Sequence, residues 1–256
     1  MSRIQLRPAL RAYAHAPAAA PAAGFTNTKS LYFDGTDDAS RATGLHADIS
    51  TSGYTISYWQ KRPDESQGAN LSYNNTLSDS TTGVTPYQGA LNKGTSTITV
   101  WTGAPWDQLW TTGTYDGVWI HICFTSTTTT SAGGTNYAYL NGVQLGSVGS
   151  RGPLASALDC WTVSAQAAAS ISRFFEAYLD EMAICAGVVA PSNFYAGGVL
   201  SGGPADLSGV SGLKHWWRCG DGSGDVGGAS SVIYDQAGSA NLVQFSGAPA
   251  ISTDVP

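Results

Sequence analysis

The segment from Trp119 to Ser147 constrains the fold more than any other part of the chain. Along it, Ile120, Ile122 and Phe124 fall on one side and Trp119, His121 and Cys123 on the other, because successive side chains of a strand alternate. Both sides are largely apolar, which predicts a strand with packed material on each face. Tyr137, Tyr139 and Leu140 then run into Asn141-Gly142, after which Val143 and Leu145 begin a return strand. Asn-Gly at that point predicts a two-residue hairpin, since a type I′ turn needs positive φ at both central residues.

The same period of two recurs elsewhere. Leu31 and Phe33 alternate with Tyr32 ahead of Asp34-Gly35, and Tyr54, Ile56 and Tyr58 alternate with Thr55, Ser57 and Trp59 until Pro63 stops the run. Ser96–Trp101 and Cys160–Ser164 also read as strands. In Phe174–Cys185, Phe175, Ala177, Leu179 and Glu181 oppose Phe174, Glu176, Tyr178 and Asp180. Residues 64–94 read as a loop-rich middle and 103–117 as an aromatic loop. Residues 165–175 fit either a loop or a short helix, and Pro191–Gly198 fits one helical turn closed by glycine. Only 12% of residues are charged, 11% are aromatic and 31 are glycine, a composition that predicts an all-β protein with short strands. Its 256 residues suit one large sandwich with appendages.

Three regions follow. Residues 1–28 form an extended, Ala/Pro-rich arm, too poor in large apolar groups to order itself alone. Residues 29–200 form the sandwich. Residues 201–256 carry further strand patterns at His215–Trp217, Val232–Asp235 and Asn241–Val243. These are expected to complete the same sandwich, the alternative being a neighbouring subunit's. Arg3, Arg7 and Arg11 precede an Ala-rich stretch that Pro8, Pro17 and Pro21 interrupt. The segment is therefore read as an arm rather than an export signal. A net charge of −6 disfavours nucleic acid as a partner, and no stretch approaches the ~20 apolar residues of a membrane span. Cys123, Cys160, Cys185 and Cys219 form no CxxC motif, and are expected to be reduced, buried thiols.

Several blocks, in order, resemble laminin-G-like, concanavalin A-type jelly rolls. They are Leu-Tyr-Phe-Asp-Gly-Thr-Asp-Asp from Leu31, Tyr-Thr-Ile-Ser-Tyr-Trp-Gln-Lys from Tyr54, the Trp119–Ser147 pair, and Ala-Tyr-Leu-Asp-Glu-Met-Ala-Ile-Cys from Ala177. The resemblance implies a two-sheet antiparallel sandwich with Phe33, Ile56, Trp59, Ile122, Leu140 and Leu179 on its inner faces. The tail from Trp216 resembles a segment that usually precedes the Phe-Asp-Gly block, and jelly rolls of this flavour resemble those of bacteriophage structural proteins.

That resemblance implies three functional expectations. The first is a non-catalytic decoration or cement protein on a phage head or tail, located on the virion surface and made in the host cytoplasm. It would dock on capsid or tail proteins through Arg3, Arg7, Arg11 and Tyr13, as a homo-oligomer with a trimer as first guess. The second is a lectin-like module for host attachment. Trp101, Trp106, Trp110 and Tyr115 would offer aromatic faces to glycans, and Asp34, Asp37 and Asp180 would hold a calcium ion. No other cofactor is expected. The third is a glycoside hydrolase using Glu176, Asp180 and Glu181. Spacing argues against it: Glu176 and Asp180 lie roughly 13 Å apart along a strand, far more than the ~5–5.5 Å of a retaining pair. His15, His46, His121 and His215 show no metal-ligand spacing, and no nucleophile elbow or phosphate loop is present.

Overall fold

The computed structural model describes residues 25–45, 53–63, 70–74, 87–92, 97–101, 108–111, 117–127, 135–149, 160–164, 166–167, 171–172, 174–198 and 202–256. Two eight-stranded antiparallel sheets face each other. The first runs β10 (Val143–Gly149), β9 (Thr135–Leu140), β8 (Trp119–Ser126), β3 (Tyr54–Lys61), β14 (Glu176–Ala186), β1 (Ser30–Asp34) and β18 (Ala250–Ser252), with β15 (Leu213–Trp217) also paired to β14. The second runs β16 (Val232–Ile233), β17 (Leu242–Ser246), β2 (Ala39–Thr43), β11 (Cys160–Val163), β4 (Asn70–Asn74), β5 (Tyr87–Asn92), β6 (Thr97–Trp101) and β7 (Gln108–Thr111). A small ribbon joins β12 (Gln166–Ala167) to β13 (Ile171–Ser172). No helix among the described residues is long and apolar enough to cross a membrane.

The alternating strands deliver their inward residues to one core. Leu31, Phe33, Ile56, Tyr58, Ile122, Phe124, Leu140, Leu179 and Trp217 from the first sheet meet Ala42, Trp161, Val163, Ile233 and Leu242 from the second. Trp161 and Trp217 meet edge to face across the sandwich, with ring centroids 5.2 Å apart. The hairpin forms at Asn141-Gly142, with φ of 48° and 74°, and pairs Leu140 with Val143.

Several expectations change. Trp59 lies on the outer face of the first sheet, not the inner one, because strict alternation gives it the opposite parity to Ile56 and Tyr58. The middle expected to be loop contains β4 and β5, and the aromatic loop contains the edge strand β7. The segment read as loop or short helix forms the β12–β13 ribbon. In β14 the simple alternation fails: the register to β3 shifts between Asp180 and Ala183, and Glu181 adopts φ of 44°. That is a bulge, with two residues opposite one.

The bulge has a topological cause. The first half of β14 pairs with β1 (Leu179 opposite Leu31), and the second half pairs with β15 (Met182 opposite Trp217). Asp180 and Glu181 occupy the exchange point between the two partners. The last quarter of the chain thus supplies strands to both sheets: β15 beside β14, β18 beside β1 and β17 beside β2.

The outer face of the first sheet is covered as well. Two 3-10 turns, Pro191–Phe194 and Ala196–Gly198, and residues 202–210 lay Phe194, Tyr195 and Leu207 over Trp59, Cys123, Ala183, Cys185 and Trp216. This second, smaller core is why β8 is apolar on both sides.

Candidate functional site

The acids of the closing strand are structural. Asp180 and Glu181 are 0% and 2% exposed. Asp180 Oδ1 accepts the Glu181 N–H at 2.8 Å. Glu181 accepts the Trp216 indole N–H at 2.5 Å and Arg218 Nε at 3.1 Å. Burial, then the neighbouring Glu181 charge, holds the Asp180 carboxyl well above the usual carboxylate range. Burial pushes Glu181 up to about 7 against the pull of Arg218. Glu176, one pairing position from the β1 turn, accepts the Tyr32 hydroxyl at 2.8 Å. Asp180 and Glu181 are sealed from solvent, and Glu176 faces Asp34 across the β1–β14 pair.

Over this acid pair lies the root of the arm. Phe25 stacks on Trp216 at 6.4 Å, and the Arg218 guanidinium sits 4.6 Å from the Phe25 centroid. Arg218 Nη2 donates to the Thr26 carbonyl. The Thr28 N–H and hydroxyl donate to Asp221 at 2.5 and 2.7 Å, and the Lys29 N–H donates to it at 3.0 Å. Asp221 is therefore a staple for the chain's entry into β1. The next acids are committed in the same way. Asp225 accepts the N–H groups of Gly220, Gly222 and Tyr234. Asp235 accepts those of Trp216, Ala237, Gly238 and Ala240, plus His215 Nδ1 at 2.6 Å.

At the β1–β2 turn, Asp34, Asp37 and Asp38 hold carboxylate oxygens within 4.8 Å of one another. Asp34 and Asp37 of the expected calcium set thus come together, and Asp38 joins them. Asp180 does not: Asp34 pairs with Glu176, which leaves Asp180 four residues further along β14. Asp38 spends one oxygen on the Asp34 N–H at 3.0 Å and the other on the Ala248 N–H, and Asp34 accepts the Thr36 N–H. The donors are all hard oxygens. With several already occupied, a calcium ion, which takes about six to eight oxygens, would draw much of its shell from water.

Trp101 and Trp110 lie on adjacent strands, β6 and the edge strand β7. Trp106, Tyr115, Arg3, Arg7, Arg11 and Tyr13 lie outside the described residues. His121 is buried on the outer face. Its Nε2 is 2.7 Å from Ser57 Oγ, its ring packs against Trp59, Phe194 and Tyr195, and burial pushes it down to about 3. It is a neutral packing residue, sealed from solvent. Cys123, Cys185 and Cys219 are free and buried, and burial raises all three thiols.

Sequence reasoning passed over an open cleft. It lies on the same outer face, beside the 3-10 turns, with a volume of about 320 Å³, and its walls include Phe25, Asn193, Tyr195, Pro204, Asp206 and Val210. Asp206 accepts the Ser208 N–H at 2.9 Å; that bond, the Ser208 side chain and Arg218 together hold it below the usual carboxylate range. Asn193 Nδ2 donates to the Ala190 carbonyl at 3.0 Å. The only sequence signal was the short Pro191–Gly198 turn. Nothing local linked that turn to Phe25, more than a hundred residues away.

Residues 34–193 match the family model described as the concanavalin A-like lectin/glucanases superfamily, of the laminin-G type. The chain belongs to this family. No curated protein matches the chain. Among solved structures, a carbohydrate-binding protein, described as putative, from Bacteroides ovatus superposes with a TM-score of 0.57 at 15% identity, over 90% of this chain and 60% of that one. The chain thus spans only 60% of that protein's length. A heptameric SAP-like pentraxin from Limulus polyphemus superposes with a TM-score of 0.53 at 12% identity, over 87% of this chain and 95% of that one. At these identities the shared property is the jelly-roll fold.

Proposed function

We propose that the protein is a non-catalytic carbohydrate-binding module. The observation that carries this is how its acids are disposed. The family's description offers two activities, lectin and glucanase. Glycoside hydrolysis needs two carboxyls flanking an open scissile-bond position. Here Asp180 and Glu181 are sealed under the arm root and hydrogen-bonded to the frame, and Glu176 is tied to Tyr32. Among the described residues an open cleft lies on the outer face, and its mixed lining of aromatic, apolar and polar groups is the usual make-up of a small-ligand site. The carbohydrate-binding description of the Bacteroides ovatus protein supports the same reading. A glycan array probed with the full chain tests it. Retention on one or more saccharides is the expected result, and no retention on any of them would overturn it.

A second reading concerns what the module is attached to. Phe25–Lys29 are fastened onto the body by Asp221, Arg218 and Trp216, so residues 1–24 depart from a defined point. This supports a role for the arm as a tether, with Arg3, Arg7, Arg11 and Tyr13 meeting subunits of a larger particle. A bacteriophage head or tail carrying the protein as an oligomeric decoration is the assembly we favour. Co-sedimentation of the full chain with phage particles, lost on deleting residues 1–24, is the expected outcome. Equal sedimentation of the deleted form would contradict it.

A further inference from the structure

The cleft beside the 3-10 turns has a chemical bias that narrows its ligand. Its charged group is Asp206, one of whose oxygens is spent on the Ser208 N–H. Asn193 uses one of its two side-chain N–H groups on the Ala190 carbonyl, which leaves its side-chain oxygen and one N–H for a ligand. The hydroxyl of Tyr195, a wall residue 2% exposed, has no hydrogen-bond partner among the described residues. Phe25, Pro204 and Val210 supply apolar surface. Arg218, the nearest cation to Phe25, is already bound to Glu181 and the Thr26 carbonyl. The polar side of the cleft therefore offers acceptor oxygens of Asp206 and Asn193 and carries the negative charge of Asp206. A matching ligand has several O–H donors, an apolar flank and no negative charge. A volume of about 320 Å³ is at the small end of ligand pockets.

Resting on the carbohydrate-binding reading, we propose that this cleft is the saccharide site, and that it takes one neutral or amino-substituted pyranose. Hydroxyl groups of the sugar donate to Asp206 and Asn193, and its C–H flank packs beside Phe25. Uronic and sialic acids are refused, because they would place a second carboxylate beside Asp206, and among the described residues Arg218, the cation that acts on Asp206, is already bound to Glu181 and the Thr26 carbonyl. One wall is the root of the arm, so the site exists only while Phe25 sits on Trp216.

The test is an amide-resonance titration of the full chain. The probes are the methyl glycosides of glucose, galactose, mannose and N-acetylglucosamine, with glucuronate as the acidic control. At least one neutral probe is expected to shift the amides of Asn193, Gly197 and Gly198, and glucuronate is not. Asp206→Asn, which keeps an acceptor for the Ser208 N–H, and Phe25→Ala are each expected to weaken binding at least tenfold, with melting temperatures recorded to confirm folding. Binding with shifts elsewhere and full affinity in Asp206→Asn would overturn this site and leave the carbohydrate-binding reading standing. Glucuronate binding as tightly as the neutral probes would overturn the assigned ligand class. No saccharide binding at all would overturn both.

Discussion

At the scale of single residues, the least ordinary pair is Asp180–Glu181. The two carboxyls are adjacent and buried, and Arg218 pairs with Glu181, so ionising both is unfavourable. The unfolded chain releases the Glu181 proton near the ordinary value of 4.5, whereas the folded chain holds it to about 7. Between those values the folded state binds more protons, so its stability falls as pH rises. Chemical denaturation from pH 5 to 8 is expected to show that decline, amounting to a few kcal/mol at most. Asp180→Asn removes one of the like charges. It is expected to flatten the slope and raise the melting temperature at pH 8; an unchanged slope would show that the pair does not set it. Gly53 makes a different demand. Its φ is 94°, and a Cβ there would come 2.2 Å from the Ser126 carbonyl oxygen. Gly53→Ala is expected to cost about 2 kcal/mol or more, because backbone rather than a yielding side chain is in the way.

At the scale of strands and turns, legibility followed the strength of the period-2 pattern. Tyr54–Lys61 and Trp119–Ser126 alternate large apolar groups, and the Asn141-Gly142 turn has its own signature, so these were readable. β4, β5 and β7 are built largely of Ser, Asn, Gly, Gln and Thr. Their strand state comes from neighbours, not from local propensity. The bulge at Glu181 was hidden for a related reason: it exists because β14 changes partner from β1 to β15, a long-range event. The Asp34–Asp37 half of the acidic cluster was named through the family resemblance of the Phe-Asp-Gly block. Asp38 and the exclusion of Asp180 required the register. The cleft was illegible because Phe25, Tyr195 and Asp206 meet only in the folded chain. β15 is the element whose loss should matter most, since Trp217 fills the gap opposite Trp161. Trp217→Ala is expected to lower stability by about 3–5 kcal/mol; a loss under 1 kcal/mol would show that the inter-sheet core does not depend on it.

At the scale of the whole molecule, the first 28 residues divide in two. Residues 25–28 belong to the body, held by Trp216, Arg218 and Asp221. Deleting residues 1–24 is therefore expected to leave the melting temperature and saccharide affinity unchanged. Extending the deletion through Thr28 is expected to lower both, because it removes a cleft wall and several hydrogen bonds, each contributing about 1 kcal/mol. Identical behaviour of the two deletions would show that the root has no such role. The body is a doubly covered jelly roll, with one core between the sheets and another beneath the outer turns. Among the described acids, Asp221, Asp225 and Asp235 are spent as staples for loops and for the root of the arm.

The central claim is that this body holds a sugar without cutting it. The most direct measurement is reducing-end release when the full chain is incubated with the saccharide that it retains best on the array, across pH 5 to 8. The account predicts tight retention and no release above the uncatalysed background. Turnover that disappears in Glu181→Gln, with binding preserved, would contradict it.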